Sequence, residues 1–205
     1  MPFGILLAWV LSRSGTRPSV RILAESLLLA PIVMPPTVLG YSLLLLLGNG
    51  SAIGRWVNGT LGIHLIFTWQ AAAIAAFVMS LPLFIRPVAA SFEEVDTEMI
   101  ESARTMGSSE LNIFIKLIIP MSLKAISVGV TLAFARALGE FGATMMIAGN
   151  IEGKTQTLPL ALYSAAESGN DSQARSFAIS LAVVAFILTG LVSMLTRRPE
   201  RRYKS

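Results

Sequence analysis

Apolar runs of about the length needed to cross a bilayer recur along this 205-residue chain, and one long charged stretch interrupts them. A helix needs roughly 20 predominantly apolar residues to span the hydrocarbon core. In lipid, only elements that satisfy their own backbone hydrogen bonds are tolerated. The runs are too long and too rich in Leu and Ala for barrel strands, so the expected fold is all-α and polytopic. With 54% hydrophobic and 14% charged residues, most of the chain has the bilayer as its solvent. The chain has no cysteine, which removes disulfides, thiolate metal sites and cysteine nucleophiles. A single histidine, His64, rules out multi-histidine metal cages and reads as an interfacial residue rather than a ligand. The net charge of +4 has no aromatic-interleaved basic patch behind it, so nucleic acid is not an expected partner.

The charged stretch runs from Glu93 to Pro120, and five of the twelve acidic residues fall between Glu93 and Glu101. Ser91 and Glu94 have capping-box spacing, which predicts a helix start there. Val95, Met99 and Met106 lie on one side of that helix with Ile100 and Ala103 beside them, while Glu94, Glu98 and Glu101 lean away. Gly107 tolerates a left-handed turn and ends it. A second helix starts at Ser108 or Ser109 and carries Leu111, Phe114, Ile115 and Ile118 at i, i+3, i+4, i+7 before Pro120. The expectation is a helix–turn–helix over 91–120, hung between membrane segments.

Around it, Met1 to Leu11 reaches only about 16 Å as a helix, half a crossing. Ile22 to Leu47 is a span interrupted by Pro31, Pro35 and Pro36, each of which removes a helical hydrogen bond. Broken backbone at membrane depth belongs inside protein or beside water. APIVMPPTVLGY therefore fits either a pathway wall or a kink healed by its neighbours. Gly48 to His64 reads as an outer loop. Leu65 to Ile85 spans again, with Trp69 at the interface and Arg86 closing it.

Leu117 to Asn150 would extend about 50 Å as one helix, too long for a straight crossing, so a bend or stop is predicted at Gly139 and Gly142. Arg136 and Glu140 stand four apart and can pair. Charge at mid-membrane costs roughly 2.5–3.5 kcal/mol, so both must face protein or water. A structural ion pair, a gate or anion-path element, and a proton relay are the three readings. Asn150 to Arg175 is an outer polar loop holding a short apolar helix over Thr157 to Ala166, and either docks an external partner or is merely solvated. The last span is Ser176 to Leu195, followed by the basic tail 197–205. Twelve of the sixteen Lys and Arg residues fall on one side of this scheme. They place the N-terminus outside, the C-terminus inside, and five crossings between.

Glu101-Ser102-Ala103, Gly107, Leu117 and Ile119-Pro120 match the spacing of the EAA loop of importer-type ABC transporter permeases, with Ser102 in place of an alanine and Leu117 and Ile119 exchanging Ile and Leu. The resemblance implies one type-1 permease domain over 1–205, in which this loop is cytoplasmic and docks in a groove of an ATP-hydrolysing subunit. It assigns ATPase coupling to Glu101, Ser102, Ala103, Arg104, Gly107, Ser108, Glu110 and Pro120. MPFGILLAWVLSR resembles the second half of the family's first membrane helix, so the start of the chain is expected to be truncated. The proline-rich run and ARALGEFGATMMIAGNIEGKTQTLPLALY resemble molybdate-importer permeases in particular. Sulfate/thiosulfate permeases share a similar G-E-F-G stretch. The pathway or gate is thereby expected at Pro35, Pro36, Thr37, Gly40, Arg136, Gly139, Glu140, Phe141, Gly142 and Thr144.

The implied function is the membrane subunit of an importer in the inner membrane, moving molybdate or tungstate by alternating access. Its implied partners are two cytoplasmic ABC ATPase subunits, a second permease copy and a periplasmic or lipid-anchored oxyanion-binding protein. The chain has no G-x-x-x-x-G-K-[ST] phosphate loop, so ATP hydrolysis is assigned to the partner. No catalytic residue, metal ligand or cofactor is predicted. An ion-coupled secondary transporter built on Arg136 and Glu140 is the competing class, weakened by the lack of repeated membrane segments. A membrane enzyme is the third, weakened by the lack of a clustered nucleophile and base.

Overall fold

The computed structural model describes residues 2–12 and 18–196. Every regular element in that range is helical: α1 (Pro2–Ser12), α2 (Pro18–Val33), α3 (Pro36–Leu47), α4 (Ala52–Leu61), α5 (Trp69–Glu93), α6 (Thr97–Thr105), α7 (Glu110–Ile113), a π-helical turn (Phe114–Ile118), α8 (Ile119–Met121), α9 (Leu123–Leu138), α10 (Gly142–Ala148), α11 (Leu158–Glu167) and α12 (Asp171–Thr196). Two of these, α5 and α12, are each apolar and long enough to cross a membrane as a single helix. Two further spans are bent pairs: α2 and α3 meet at 116°, and the Glu110–Met121 helix meets α9 at 71°. The short apolar α1 completes the five apolar segments expected from the sequence. The basic tail 197–205 and the arginines of the first loop, Arg13 and Arg17, lie outside the described residues.

Helix α5 is the centre of the molecule. It packs along α9 and also touches α1 and α10, while α10 lies against α3 and α12 lies against α9 and α11. Lipid gives helices little hydrophobic reason to associate, so close backbone approach through small residues has to supply the contact. Ala71, Ala72 and Ala75 on α5 meet Leu39, Ala143, Ile147 and Ala148 in one buried cluster. Phe84, Ile85, Val88 and Phe92 further along α5 meet Ala8, Ala133, Ile113, Phe114 and Ile118 in a second. Gly129 makes the α5–α9 seam possible, since a Cβ there would stand 3.0 Å from the Phe84 carbonyl oxygen. Trp9 stacks on Phe114 with ring centroids 4.6 Å apart, which ties α1 to the base of the charged hairpin.

Several sequence expectations are corrected. Helix α5 does not stop at Arg86; it runs through Pro82 and Pro87 to Glu93, so Ser91 lies inside it and opens nothing. The hairpin's first helix is capped instead by Asp96, whose carboxylate accepts from the Glu98 N–H at 2.9 Å. Gly48 to His64 is not a plain loop, because it folds into α4. Met99 and Met106 do not share the buried side with Val95: Val95 is buried, whereas Met106 is 78% exposed. The stripe read on the second helix is also displaced. Phe114 and Ile118 are buried as expected, but Ile113 joins them while Leu111 and Ile115 face outward. The π-helical turn at Phe114–Ile118 accounts for this, because its wider i→i+5 winding breaks the 3.6-residue period on which the stripe was drawn.

Candidate functional site

Two regions hold the expected functional residues, and α5 joins them. The first is the charged hairpin. Helix α6 ends in a Schellman closure: the Ser108 N–H donates to the Ala103 carbonyl at 3.0 Å and the Gly107 N–H to the Arg104 carbonyl at 2.9 Å. Gly107 carries the left-handed φ of 82° that this closure needs. Ser109 then caps the second helix by accepting from the Asn112 N–H at 3.3 Å. Across the turn, Arg104 Nε donates to Glu110 Oε1 at 2.6 Å, and a terminal guanidinium nitrogen donates to Oε2 at 3.2 Å. This fork-on-fork contact braces the two helices against each other. The hydrogen bond to Glu110, and then the charge of that carboxylate, raise the Arg104 guanidinium above its ordinary range.

The expected coupling residues divide by this geometry. Glu101, Ser102, Arg104, Ser108 and Glu110 are exposed on the knob, while Ala103 is half-buried and packs inward on the second core cluster. Pro120 sits beyond the π-helical turn at the root, exposed and ten residues past Glu110. A cavity of about 640 Å³ lies beneath the hairpin, with Trp9, Arg21, Glu93, Glu101, Arg104 and Glu110 among its walls. Arg21, near the start of α2, donates to Glu93 at 2.6 Å and to Glu25 at 2.9 Å. The Arg21–Glu93 bridge links residues 72 apart in sequence, and neither lies in a pattern that marks it. It was not foreseen.

The second region is where two broken spans meet. Between α2 and α3 the chain turns at Met34 and Pro35, and Pro36 starts α3 with its fixed φ and missing N–H placed where neither costs a bond. The facing segment is the short α10. Gly40 is buried against it, and a Cβ there would stand 2.6 Å from the Ala143 Cα. Gly142 is equally tight, because its Cβ would fall 2.9 Å from the Pro36 ring. The proline-rich run and the Gly-Glu-Phe-Gly run, about one hundred residues apart, are therefore one surface. Thr144 is buried there, while Pro35, Pro36, Thr37 and Gly139 are exposed. Phe141 is half-buried and tilts onto Tyr163, with centroids 5.4 Å apart.

Arg136 and Glu140 form the expected pair at 2.7 Å, and they are buried unequally: the Glu140 side chain is 2% exposed and that of Arg136 is 28% exposed. The second oxygen of Glu140 accepts from the Ala143 N–H at 2.7 Å. One carboxylate thus holds the end of α9 and the first turn of α10 together, which satisfies a backbone donor freed by the break at Gly139. A third fixture was missed by sequence reasoning. Phe67 adopts a left-handed φ of 57°, and its N–H donates to the Ile147 carbonyl at 3.1 Å, fastening the loop before α5 onto α10. No sequence signal marks a phenylalanine for that conformation.

Residues 1–204 match the family of binding-protein-dependent transport system inner membrane components. The chain belongs to this family. Its apolar helices are accordingly those of a multi-pass transport component of the inner membrane. Among curated relatives, the molybdenum transport system permease protein ModB of Escherichia coli K12 is 39% identical over 206 residues, covering 98% of this chain and 89% of its own. The Haemophilus influenzae ModB is 33% identical, with 98% and 88% covered. The E. coli sulfate transport system permease protein CysT is 32% identical, with 98% and 71% covered. The fold is that of solved ABC transporters. A chain of the MetNI methionine transporter in an inward-facing form superposes with TM-score 0.67 at 18% identity, covering 95% of this chain and 86% of that one. A chain of a bacterial alginate transporter in complex with its alginate-bound periplasmic protein gives TM-score 0.69 at 14% identity, covering 96% and 72%.

Proposed function

We propose that the chain is the permease subunit of an ATP-driven molybdate importer. The observation that carries this reading is the graded likeness to curated relatives: 39% identity and 89% coverage for a molybdenum permease against 32% and 71% for a sulfate permease. Tungstate, an oxyanion of the same shape and charge, belongs with molybdate. The charged hairpin faces the cytoplasm, with the N-terminus outside and the C-terminus inside, and docks in a groove of an ABC ATPase. Glu101, Ser102, Arg104, Ser108 and Glu110 form the knob surface, while Gly107 and Pro120 shape its tip and root. Two ATPase subunits close on ATP and drive the paired hairpins together.

The pathway lies between two permease copies, along the surface where Pro35, Pro36, Thr37 and Gly40 meet Gly142 and Thr144. Gly139 and Phe141 mark the break in its wall. Arg136 and Glu140 hold that break and place a cation beside the route of a divalent oxyanion. The anion arrives on an external binding protein, so selection between oxyanions resides mainly there. Sulfate is the second reading, favoured by CysT and by a Synechocystis sulfate permease, CysW, 36% identical over 96% of this chain.

The test is uptake into proteoliposomes holding the permease, its ATPase and the binding protein. ATP-dependent molybdate accumulation that excess sulfate does not suppress is the expected result. Equal competition by sulfate favours the second reading. Uptake by the chain alone under an ion gradient without ATP overturns the importer reading in favour of a secondary transporter.

A further inference from the structure

Helix α4 has one face seated on the protein and another that no described residue covers. The seated face is fixed by small residues: a Cβ on Gly54 would collide with the carbonyl of Gly48, at the end of α3, so the first turn of α4 rests on the end of a membrane span. Ser51 caps it by accepting from the Gly54 N–H at 2.8 Å, and Gly62 closes it with a left-handed φ of 65°. Seven residues later α5 starts at Trp69 and runs to the root of the charged hairpin at Glu93. Helix α4 therefore lies between the ends of two spans, at the bilayer face opposite the hairpin.

The outward side of α4 divides by chemistry. Ile53 and Trp56, three residues apart, form an apolar stripe, with Trp56 64% exposed. Arg55 and Gly59 form the neighbouring stripe, and Arg55 is exposed with one guanidinium nitrogen donating to the Gly50 carbonyl at 2.8 Å. Trp69, 65% exposed, marks the same boundary on α5. From Ser26 to Phe92 the sequence contains no acidic residue, and Arg55 is the one charged residue on α4 itself. A ten-residue helix is marginal on its own in water and needs its apolar side covered. Tryptophan beside arginine at the end of a span is the chemistry of the membrane–water interface, where the indole sits among headgroups and the guanidinium meets phosphates.

We infer that α4 is an interfacial anchor, its Ile53–Trp56 stripe immersed in the headgroup region of phospholipid and Arg55 paired with lipid phosphate. It fixes the end of α3 to the bilayer surface through the Gly48–Gly54 seat. Motion of α3 is thereby confined to its other end, the turn at Met34 and Pro35. The inference rests on the chain being a membrane component and not on which anion it carries.

The chain has no cysteine, so single nitroxide labels can be placed without further substitution. Full-length Ile53→Cys, Trp56→Cys and Gly59→Cys permease, labelled and reconstituted with its ATPase in vesicles of phosphatidylethanolamine and phosphatidylglycerol, would be read by collision with oxygen and with a water-soluble nickel chelate. Labels at 53 and 56 are expected to favour oxygen severalfold over the label at 59. Equal nickel access at all three positions overturns the anchor by placing α4 in water. Labels at 53 and 56 closed to both reagents overturn it by placing a second copy or the binding protein on the stripe. An independent reading uses lipids brominated high on the acyl chain: they should quench a tryptophan component that Trp56→Phe removes, and unchanged quenching in that variant refutes the anchor.

Discussion

Gly40 and Ala143 meet so closely that a side chain on Gly40 would stand 2.6 Å from the Ala143 Cα, a backbone atom with little freedom to retreat. The contact sets the distance between the two broken spans, and the Gly142–Pro36 contact repeats it a few residues away. Gly40→Val is expected to destabilise the protein by about 1–3 kcal/mol, the usual penalty for overpacking a filled interior. Gly50→Val, at a position with open space around it, serves as the control. Thermal unfolding in detergent should separate the two, and coincident melting curves would show that the seam is looser than its geometry indicates.

Glu140 does two jobs with one carboxylate, so its substitutions should not be equivalent. Glu140→Ala leaves Arg136 unpaired and the Ala143 N–H without its acceptor, a loss of about 3–5 kcal/mol if the site behaves as a buried pair. Glu140→Gln keeps an acceptor for the amide and should recover part of that loss. Replacing both members with methionine removes the charge and its partner together, and should be less damaging than either single change. Transport by a stable Arg136→Met/Glu140→Met protein then decides the role. Retained uptake makes the pair structural, and lost uptake with intact melting places it on the anion route.

Much of this was legible in the sequence, for identifiable reasons. Hydropathy marks the spans because lipid exposure leaves no alternative composition, and Pro35–Pro36 and Gly139–Gly142 announce breaks because each removes a donor or a Cβ. Gly107 and Ser109 are local signals acting over three or four residues, and both behave as their chemistry dictates. The failures are of another kind. Ser91 and Asp96 are equally good caps, and the length of α5, set by packing on α9 and α1, chose between them. The π-helical turn has no residue signature of its own, so the inward rotation of Ile113 was invisible. Arg21–Glu93 and Phe67–Ile147 depend on the tertiary arrangement alone.

Gly107 offers a test of the hairpin that leaves its charges untouched. An alanine forced to hold the left-handed φ of 82° costs about 1–2 kcal/mol, and nothing nearby obstructs the added methyl. The consequence is a frayed tip rather than a clash. ATPase binding by Gly107→Ala, measured by co-purification or titration in nanodiscs, should weaken while the melting of the membrane body stays close to the parent's. Unchanged binding would mean that the tip does not need this closure in the complex.

The Arg21–Glu93 bridge joins the start of α2 to the last residue of α5, and under the proposed coupling thrust entering at the hairpin would reach the turn at Pro35 along α2. Arg21→Glu and Glu93→Arg singly should each lower uptake per ATP hydrolysed more than they lower hydrolysis itself, and the paired reversal should restore the ratio. Glu25 also accepts from Arg21, so Glu93→Gln is expected to be milder than Arg21→Gln, which removes both contacts. Equal losses in hydrolysis and uptake would assign the bridge to assembly instead.

Arg104 and Glu110 give the sharpest separation between bracing and docking, since both are exposed and both lie on the knob. If their value is the brace, Arg104→Glu and Glu110→Arg each break it by juxtaposing like charges, and Arg104→Glu/Glu110→Arg rebuilds it with ATPase coupling recovered. If either charge instead meets the ATPase directly, the reversal presents the wrong sign to that partner and coupling stays lost. Solution conditions discriminate further. Glu110 raises the Arg104 guanidinium, so the arginine's share of the pair is fully present below the ordinary arginine range and disappears only as pH climbs past the raised value, far above working pH. Alkaline titration from neutrality should therefore leave the brace untouched. Salt should not, because the Debye length shrinks from about 10 Å at 0.1 M to about 3 Å at 1 M, the scale of this exposed contact. Coupling that falls with salt in the parent and in the double reversal alike identifies the brace, measured as the ratio of uptake to hydrolysis across an ionic-strength series.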